Sequence, residues 1–473
     1  MRTRTDLTGE IRTGPAGPKV GAFFDLDRTL LAGFSSVMFF RQQLMSGRLA
    51  PRDLLEILSA AVSFELGQIG FSGLVTGAMN MLRGRSETAL EELGEQIFED
   101  QFAGAIYPEA RALVQAHQHR GHTLAIVSSA TRFQIEPLAR DLGIEHVLCT
   151  QLETREGVFT GKVVRPTCYR EGKAVAAREF AVLSGVDLEE SYFYTDSDED
   201  LPLLEAVGRP RPINPNSGLA EIAARRGWPV RRFTSRGTPG LGEVLRTGLA
   251  AGSVVPSFLV GLPVALLNRT RRQAVNLGVT AFGELATALA GIDLRVEGEQ
   301  HLWSERPAVF IFNHQSAIDP LLVCRLLRRD FVGIARRRVR WNPVAGLLLA
   351  AAGTIFVDDF DRDGSEPPPA EALHALQRGL SIAVTPEGKR SPSPRLGSFE
   401  EGAFRLAMAE MVPVVPIVFR NTCDALPRGG AVIRPAEIDV VVRPPVSTEG
   451  WTAAGLRDEI EGIRRLYVET LDD

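Results

Sequence analysis

Two acids two residues apart, Asp25 and Asp27, follow the apolar run Val20–Phe24 and lead into Arg28 and Thr29. Further along, Ile126-Val127 runs into Ser128 and Ser129, and Tyr192–Thr195 runs into Asp196-Ser197-Asp198-Glu199-Asp200, with Lys173 between the two. Carboxylates gathered at one point repel each other unless a cation neutralises them, and hard oxygen donors suit Mg2+. With a hydroxyl and an ammonium added, the set is complementary to a phosphoryl group. Taken singly, each piece has a plainer use. An acid after a strand usually caps a helix or sits in a solvated turn, and Asp198 and Glu199 fit that description.

A second group lies in the other half. Phe310-Ile311-Phe312-Asn313-His314 carries an apolar run into a turn, and Asp319-Pro320 follows five residues after the histidine. On a continuous helix that spacing does not bring the two face to face. On a turn, Asp319 can fold back and orient the imidazole; equally, Asp319-Pro320 makes a good N-cap and N1 pair. Thr385-Pro386-Glu387-Gly388-Lys389-Arg390 follows another apolar run. Arg390 offers a planar fork for a phosphate, and Lys389 a point charge. Only four of the 53 basic residues are lysines (Lys19, Lys162, Lys173 and Lys389), which adds weight to Lys173 and Lys389.

The order Asp25-x-Asp27-x-Thr29, Ser128, Lys173, Asp196-Ser-x-x-Asp200 resembles the haloacid dehalogenase superfamily of phosphatases. The tail Ile213-Asn214-Pro215-Asn216 … Arg226-Gly227-Trp228-Pro229 is similar to its phosphoserine-phosphatase-like branch. The likeness covers about residues 18–235. It implies Asp25 as a nucleophile that forms an aspartyl-phosphate, and Asp27 as general acid and base. It further implies Mg2+ held by Asp25, the backbone carbonyl of Asp27, and Asp196, with Asp200 in support. Ser128 and Lys173 would then grip the phosphoryl oxygens. Thr195 stands where the family usually has glycine, and Leu31–Ser36 lacks the glutamate with which phosphoserine phosphatases read an amino group. A phosphatase is expected, with its substrate left open.

His314-x4-Asp319 together with Glu387-Gly388-Lys389-Arg390 resembles the glycerolipid acyltransferases that act on 1-acylglycerol-3-phosphate. Gly353-Thr354-Ile355-Phe356-Val357 and Val412–Ile417 extend the likeness over about residues 270–450. It implies that His314, oriented by Asp319, deprotonates the acceptor hydroxyl, which attacks an acyl thioester of coenzyme A or acyl carrier protein. Glu387, Gly388, Lys389 and Arg390 would bind the acceptor's glycerol phosphate. Thr385, Lys389 and Asp359 depart from the family's usual residues; Arg362, three residues on, is a candidate to replace the arginine usual at 359.

The elements that must position these groups follow from pattern. Short β-branched or aromatic runs alternate with helical stretches in both halves, which predicts α/β folds with parallel sheets. Strands are expected at Val20–Phe24, Thr123–Val127, Tyr192–Thr195, Ala308–Phe312, Ile382–Thr385 and Val412–Phe419. The expected organisation is a disordered tail over 1–18, a three-layer phosphatase domain over 19–235 with a helical cap at about 35–105, a membrane-associating linker over 236–292, and an acyltransferase α/β domain over 293–473. Asp358–Ala370 reads as an acidic loop.

Within the linker, Thr247–Asn268 runs 22 residues without a charge. As a helix it would extend ~33 Å, enough for a ~30 Å hydrocarbon core. Gly252, Pro256, Gly261 and Pro263 interrupt it, and arginines flank both ends. That pattern favours monotopic or peripheral attachment at the cytoplasmic face of the cell membrane over a single span. The next stretch puts Gln273, Asn276, Thr280, Glu284 and Thr287 on one helical stripe and Val275, Val279, Phe282, Ala286 and Leu289 on another, fit for an interface or a core. Arg325–Arg340 is a basic stretch, either a solvated helix face or a patch for anionic lipid or coenzyme A phosphates.

Composition closes off several classes. The 473 residues are 44% hydrophobic and 23% charged, which excludes wholesale disorder, and the net charge of -5 argues against nucleic acid as a partner. Four scattered cysteines with no CxxC pair exclude a disulfide framework. The expected partners are a lysophospholipid acceptor, an acyl thioester donor and a membrane surface. The alternative is one working acyltransferase carrying a phosphate-sensing domain that does not turn over.

Overall fold

The computed structural model describes residues 8–45, 82–342, 345–358 and 367–472. The chain divides into two compact units, Met1–Gly237 and Thr238–Asp473.

The first unit is built on five parallel strands, β1 (Val20–Phe24), β2 (Thr123–Thr131), β3 (His146–Thr150), β6 (Asp187–Thr195) and β7 (Arg209–Pro212), in the order β3-β2-β1-β6-β7. β1 is buried along its whole length, as a central parallel strand covered on both faces must be. Side chains alternate between faces: Phe24 and Tyr194 pack into one core with the cap, and Phe23 and Phe193 into the other with the helix Glu171–Ser184. The cap is described at its two ends. Ser35–Met45 begins it, and Glu87–Ile97, capped by Ser86, returns the chain to the sheet. Its middle, 46–81, lies outside the described residues.

Two features differ from expectation. The tail is ordered from Thr8 on: Gly9–Thr13 is a helix, Ile11 is fully buried, and Glu10 accepts from Arg211 at 2.7 Å. One apolar residue and one acid anchor a segment whose average composition is polar. A hairpin of β4 (Leu152–Arg155) and β5 (Val158–Val163) also emerges, its turn at Glu156-Gly157 with φ of 54° and 73°. Positive φ at both central residues is what a tight hairpin needs.

The second unit holds seven strands: β8 (Ile292–Glu297), β9 (Val309–Phe312), β10 (Phe331–Arg336), β11 (Ile355–Val357), β12 (Ser381–Val384), β13 (Val414–Phe419) and β14 (Ala436–Val442). Their order is β11-β10-β12-β9-β13-β14-β8, parallel except between β13 and β14. Phe310 and Phe312 face one core; Val309 and Ile311 face the other, closed by the helix Leu456–Asp472, whose Tyr467 hydroxyl donates to the Ile311 carbonyl at 2.7 Å.

The apolar segment forms three consecutive helices, Leu241–Gly252, Val254–Leu259 and Leu262–Asn268, followed by Arg271–Ala290. The most apolar 18-residue window of Leu241–Asn268 has a mean hydropathy of 1.9, yet only 28% of it is buried. The Arg271–Ala290 helix is sandwiched. Gly278 lies so close to Phe258 that a Cβ would sit 2.6 Å from the ring, and Gly283 meets the Arg325 backbone equally tightly. Its polar stripe faces protein: Asn276 donates to Asp330 at 2.7 Å and Thr280 to the Arg328 carbonyl at 3.1 Å. Of the two uses expected for this helix, packing against a core is the one found.

Candidate active sites

In the first unit, β1 lies between β2 and β6, so side chains leaving their carboxyl ends meet over one edge of the sheet, where open parallel sheets bind ligands. Lys173 Nζ lies 2.8 Å from Asp25 Oδ1 and 2.9 Å from Asp200 Oδ2, all three being buried. Thr195 donates its hydroxyl to the same Asp200 oxygen at 2.6 Å. Asp27 Oδ1 accepts from the Ser35 N–H at 2.6 Å, which ties the acid to the start of the cap. Arg28 reaches Asp196 at 3.2 Å. Ser128 lies buried inside β2, a strand that runs on to Thr131 rather than stopping at Val127.

Burial dominates the electrostatics. It raises the Asp25 carboxyl above its usual range, against the pull of Lys173, and raises Asp27 against the hydrogen bond from Ser35. Asp196 is pushed up to about 6 by burial, with Arg28 opposing. Burial pulls the Lys173 ammonium down, but Asp200 and Asp25 more than offset this and leave it above its ordinary value. Buried acids whose charge is disfavoured are the environment a hard cation relieves.

The donors fit Mg2+ in one arrangement. Among the described residues no three acid, histidine or cysteine side chains gather into a cage by themselves. Asp25, Asp196 and the Asp27 carbonyl, completed by water, match the ion's habit of binding through one or two carboxylates. Asp200, expected to support that set, accepts from both Lys173 and Thr195 on Oδ2, which ties the lysine to the site.

In the second unit, β9 ends at Phe312 and the chain turns before the helix Asp319–Leu327. His314 Nδ1 lies 2.7 Å from Asp319 Oδ2, and the N–H groups of Gln315 and Ser316 donate to that same oxygen at 2.8 Å. A carboxylate accepts, so Nδ1 carries the proton and Nε2 is left as the acceptor. Asp319 is fully buried while His314 is partly open. Asp319 thus folds back onto the turn and is not the helix N-cap, which is Ile318.

Glu387, expected to bind the acceptor, is engaged by donors of the protein itself. It is buried; Oε1 accepts from the His314 N–H at 2.8 Å, and Oε2 from the Ser391 hydroxyl at 2.7 Å and the Gly397 N–H at 2.8 Å. Burial raises its pKa, and these donors oppose the rise. Glu387 therefore braces the histidine turn. Gly388, at φ 63°, makes the sharp turn beyond β12, where a Cβ would collide with the Glu400 carboxylate. Lys389 is exposed. Arg390 is half-buried; burial and Arg428 lower its pKa while Asp319 raises it. Asp359 and Arg362 lie outside the described residues. Sequence reasoning missed Ser35, Thr195 and Arg28 as partners of the acids, and Ser391 and Gly397 as partners of Glu387. Only their closeness to a motif could have marked them.

Comparison with known proteins agrees with this geometry. A family model of haloacid dehalogenase-like hydrolases matches residues 22–205, and an acyltransferase model matches residues 293–420. A probable phosphatase of Mycobacterium tuberculosis is 34% identical over 242 residues, covering 49% of this chain and 84% of that protein. A phosphoserine phosphatase of the same organism is 33% identical over 253 residues, covering 52% of this chain and 82% of its own length. A 1-acyl-sn-glycerol-3-phosphate acyltransferase of Limnanthes alba is 32% identical over 197 residues, covering 41% of this chain and 69% of its own. The chain belongs to the haloacid dehalogenase-like hydrolases through its N-terminal half and to the acyltransferases through its C-terminal half. It joins a phosphatase-like domain to an acyltransferase domain in one polypeptide.

Proposed function

We propose that this chain acylates 1-acylglycerol-3-phosphate to phosphatidate and, at a separate centre, hydrolyses a phosphomonoester. The observation that carries the first activity is the 2.7 Å contact of His314 with Asp319. With Nδ1–H held by the carboxylate, Nε2 takes the proton of the acceptor hydroxyl as its oxygen attacks the thioester carbonyl. The thiolate of coenzyme A or acyl carrier protein leaves and receives that proton. Arg390, half-buried at the same edge, would grip the acceptor phosphate.

At the other centre, Asp25 Oδ1 is held by Lys173, which leaves Oδ2 to attack phosphorus and form an aspartyl-phosphate. Asp27, raised above the usual carboxyl range by burial, is suited to protonate the leaving oxygen and then to activate water. Mg2+ held by Asp25, Asp196 and the Asp27 carbonyl would neutralise charge on the transferring group. Lys173 and Ser128 would hold the remaining oxygens.

Exposed leucines and valines along Leu241–Asn268, among them Leu245, Leu259, Leu266 and Leu267, support monotopic attachment at the cytoplasmic face of the membrane. The test is an assay of the full chain with lysophosphatidate and acyl-coenzyme A, beside a phosphatase screen on phosphoserine, lysophosphatidate and phosphatidate with and without Mg2+. Formation of phosphatidate supports the reading. Failure with both acyl-coenzyme A and acyl-acyl carrier protein as donors removes it.

A further inference from the structure

β9, β12 and β10 run parallel, so their carboxyl ends share one edge of the sheet. β9 delivers His314 to that edge, and β12 delivers Glu387 and Arg390. β10 delivers Arg336 and the tight turn Arg337–Trp341. Trp341 is 83% exposed, and Leu347, on the helix Ala345–Ala351 that follows, is 51% exposed. That helix packs against both the Arg337–Trp341 turn and the apolar helix Val254–Leu259. The two exposed side chains therefore lie on elements adjacent to the helix of the open Leu259, with Val260 and Leu262, also open to solvent, just beyond it.

The rim of this patch is basic. Arg337, Arg338 and Arg340 are exposed, with no acid between Phe331 and Trp341. Arg337 pairs with Asp358 at 2.9 Å, and Arg340 lies over the Phe356 ring at 5.8 Å. An indole open to solvent beside arginines is the combination that settles at the headgroup level of a bilayer, its ring among the acyl chains and the cations on lipid phosphates.

We propose that Trp341 and Leu347, rimmed by Arg338 and Arg340, form a second lipid-docking element that seats the catalytic edge of the acyltransferase sheet on an anionic bilayer. The inference rests on the membrane reading above and adds the point of insertion. Adjacency to the apolar helices and the sign of the rim favour a lipid surface over a second copy of the chain. Docking there would bring a lipid acceptor to His314 without its acyl chain crossing water.

The test uses the full chain with vesicles of phosphatidylcholine, with or without phosphatidylglycerol, carrying brominated acyl chains that quench indole fluorescence. The chain has four tryptophans, so the wild type is compared with Trp341→Phe, a change at an exposed site. The expected result is quenching on binding that disappears in Trp341→Phe. Arg338→Gln and Arg340→Gln should each weaken binding to phosphatidylglycerol vesicles about fivefold and leave binding to phosphatidylcholine unchanged. Undiminished quenching in Trp341→Phe with binding intact overturns the proposal and leaves attachment to Leu241–Asn268 alone. A Trp341-dependent self-association without quenching overturns it in favour of a second copy. Absence of vesicle binding by the wild type removes the membrane reading itself.

Discussion

Lys173 Nζ lies 2.9 Å from Asp200 Oδ2, on the oxygen that also accepts the Thr195 hydroxyl. Asp196, paired with Arg28, has different surroundings, so the two acids should answer differently to the same substitution. Asp196→Asn should raise the Mg2+ concentration needed for half-maximal phosphatase activity by at least about tenfold, since a ligand to the ion is weakened. Asp200→Asn should leave that concentration nearly unchanged and lower kcat, because the lysine loses one of its two anchors. A Mg2+ titration of both variants checks the division; equal shifts would make Asp200 a ligand to the ion as well.

Thr195 should act as a positioning residue. Thr195→Val removes a buried donor to Asp200 and leaves that carboxylate one partner short, at a cost of about 1–3 kcal/mol. Thr195→Ser should restore most of the loss, which thermal unfolding of the two variants, read against kcat, would register.

Glu387→Gln tests whether this acid braces the histidine turn or binds substrate. The amide puts a donor opposite groups that themselves donate, so the second unit should lose about 1–3 kcal/mol. Acyl transfer should fall about 100-fold as His314 shifts. The exposed Lys389→Gln should change stability by no more than about 0.5 kcal/mol. A rise in KM for the acceptor with no loss of stability in Glu387→Gln would identify it as a ligand instead.

A buried relay in the first unit sets an acid limit. His117 Nδ1 lies 2.7 Å from His122 Nδ1, His117 Nε2 lies 2.8 Å from the Tyr194 hydroxyl, and His122 Nε2 lies 2.9 Å from the Pro15 carbonyl. The carbonyl only accepts, so His122 donates from Nε2, His117 donates from Nδ1, and Tyr194 donates to His117. One more proton on His122 Nδ1 would set two N–H groups against each other, and one on His117 Nε2 would force the Tyr194 hydroxyl to turn and accept. Burial lowers the pKa of both rings, with His122 adding to the effect on His117. As pH falls below ~6.5 the unfolded chain takes up protons that the folded chain refuses, so stability is lost on acidification, by up to about 1.4 kcal/mol per pH unit per histidine. Thermal unfolding between pH 7 and pH 5 should show the slope, and His122→Gln should flatten it.

Much of this was legible in the sequence because strand ends and reactive residues coincide. Val20–Phe24 ends where Asp25 begins, and apolar continuity alone located the strand. His314 and Asp319 were legible as a pair but open to a capping role, because five residues along a chain do not say whether it turns. What stayed hidden depends on groups without side-chain chemistry of their own. The N–H of Ser35 on Asp27 and the N–H of Gly397 on Glu387 are backbone donors aimed by the fold, and no residue type announces them. The Gly9–Thr13 helix was hidden for another reason: one buried isoleucine does not register in a polar average.

Asp319→Asn keeps the shape of the acyltransferase centre but removes the negative charge behind the imidazole. His314 and the N–H groups of Gln315 and Ser316 already share Oδ2, so one amide oxygen can still receive them, but it no longer balances the imidazolium that forms as the ring takes the acceptor's proton. kcat for acyl transfer should fall by roughly 10^3–10^4 with little change in KM, as expected when the charged ring loses its counter-charge. A rate within tenfold of wild type would mean that the pair is structural.

The most direct measurement pairs His314→Ala with Asp25→Asn in the full chain and assays each variant for both reactions. Phosphatidate formation from lysophosphatidate and an acyl thioester should vanish in His314→Ala and persist in Asp25→Asn. Hydrolysis of the phosphomonoester should do the reverse. Acyl transfer at the wild-type rate in His314→Ala, or phosphate release at the wild-type rate in Asp25→Asn, would contradict the assignment of two independent centres.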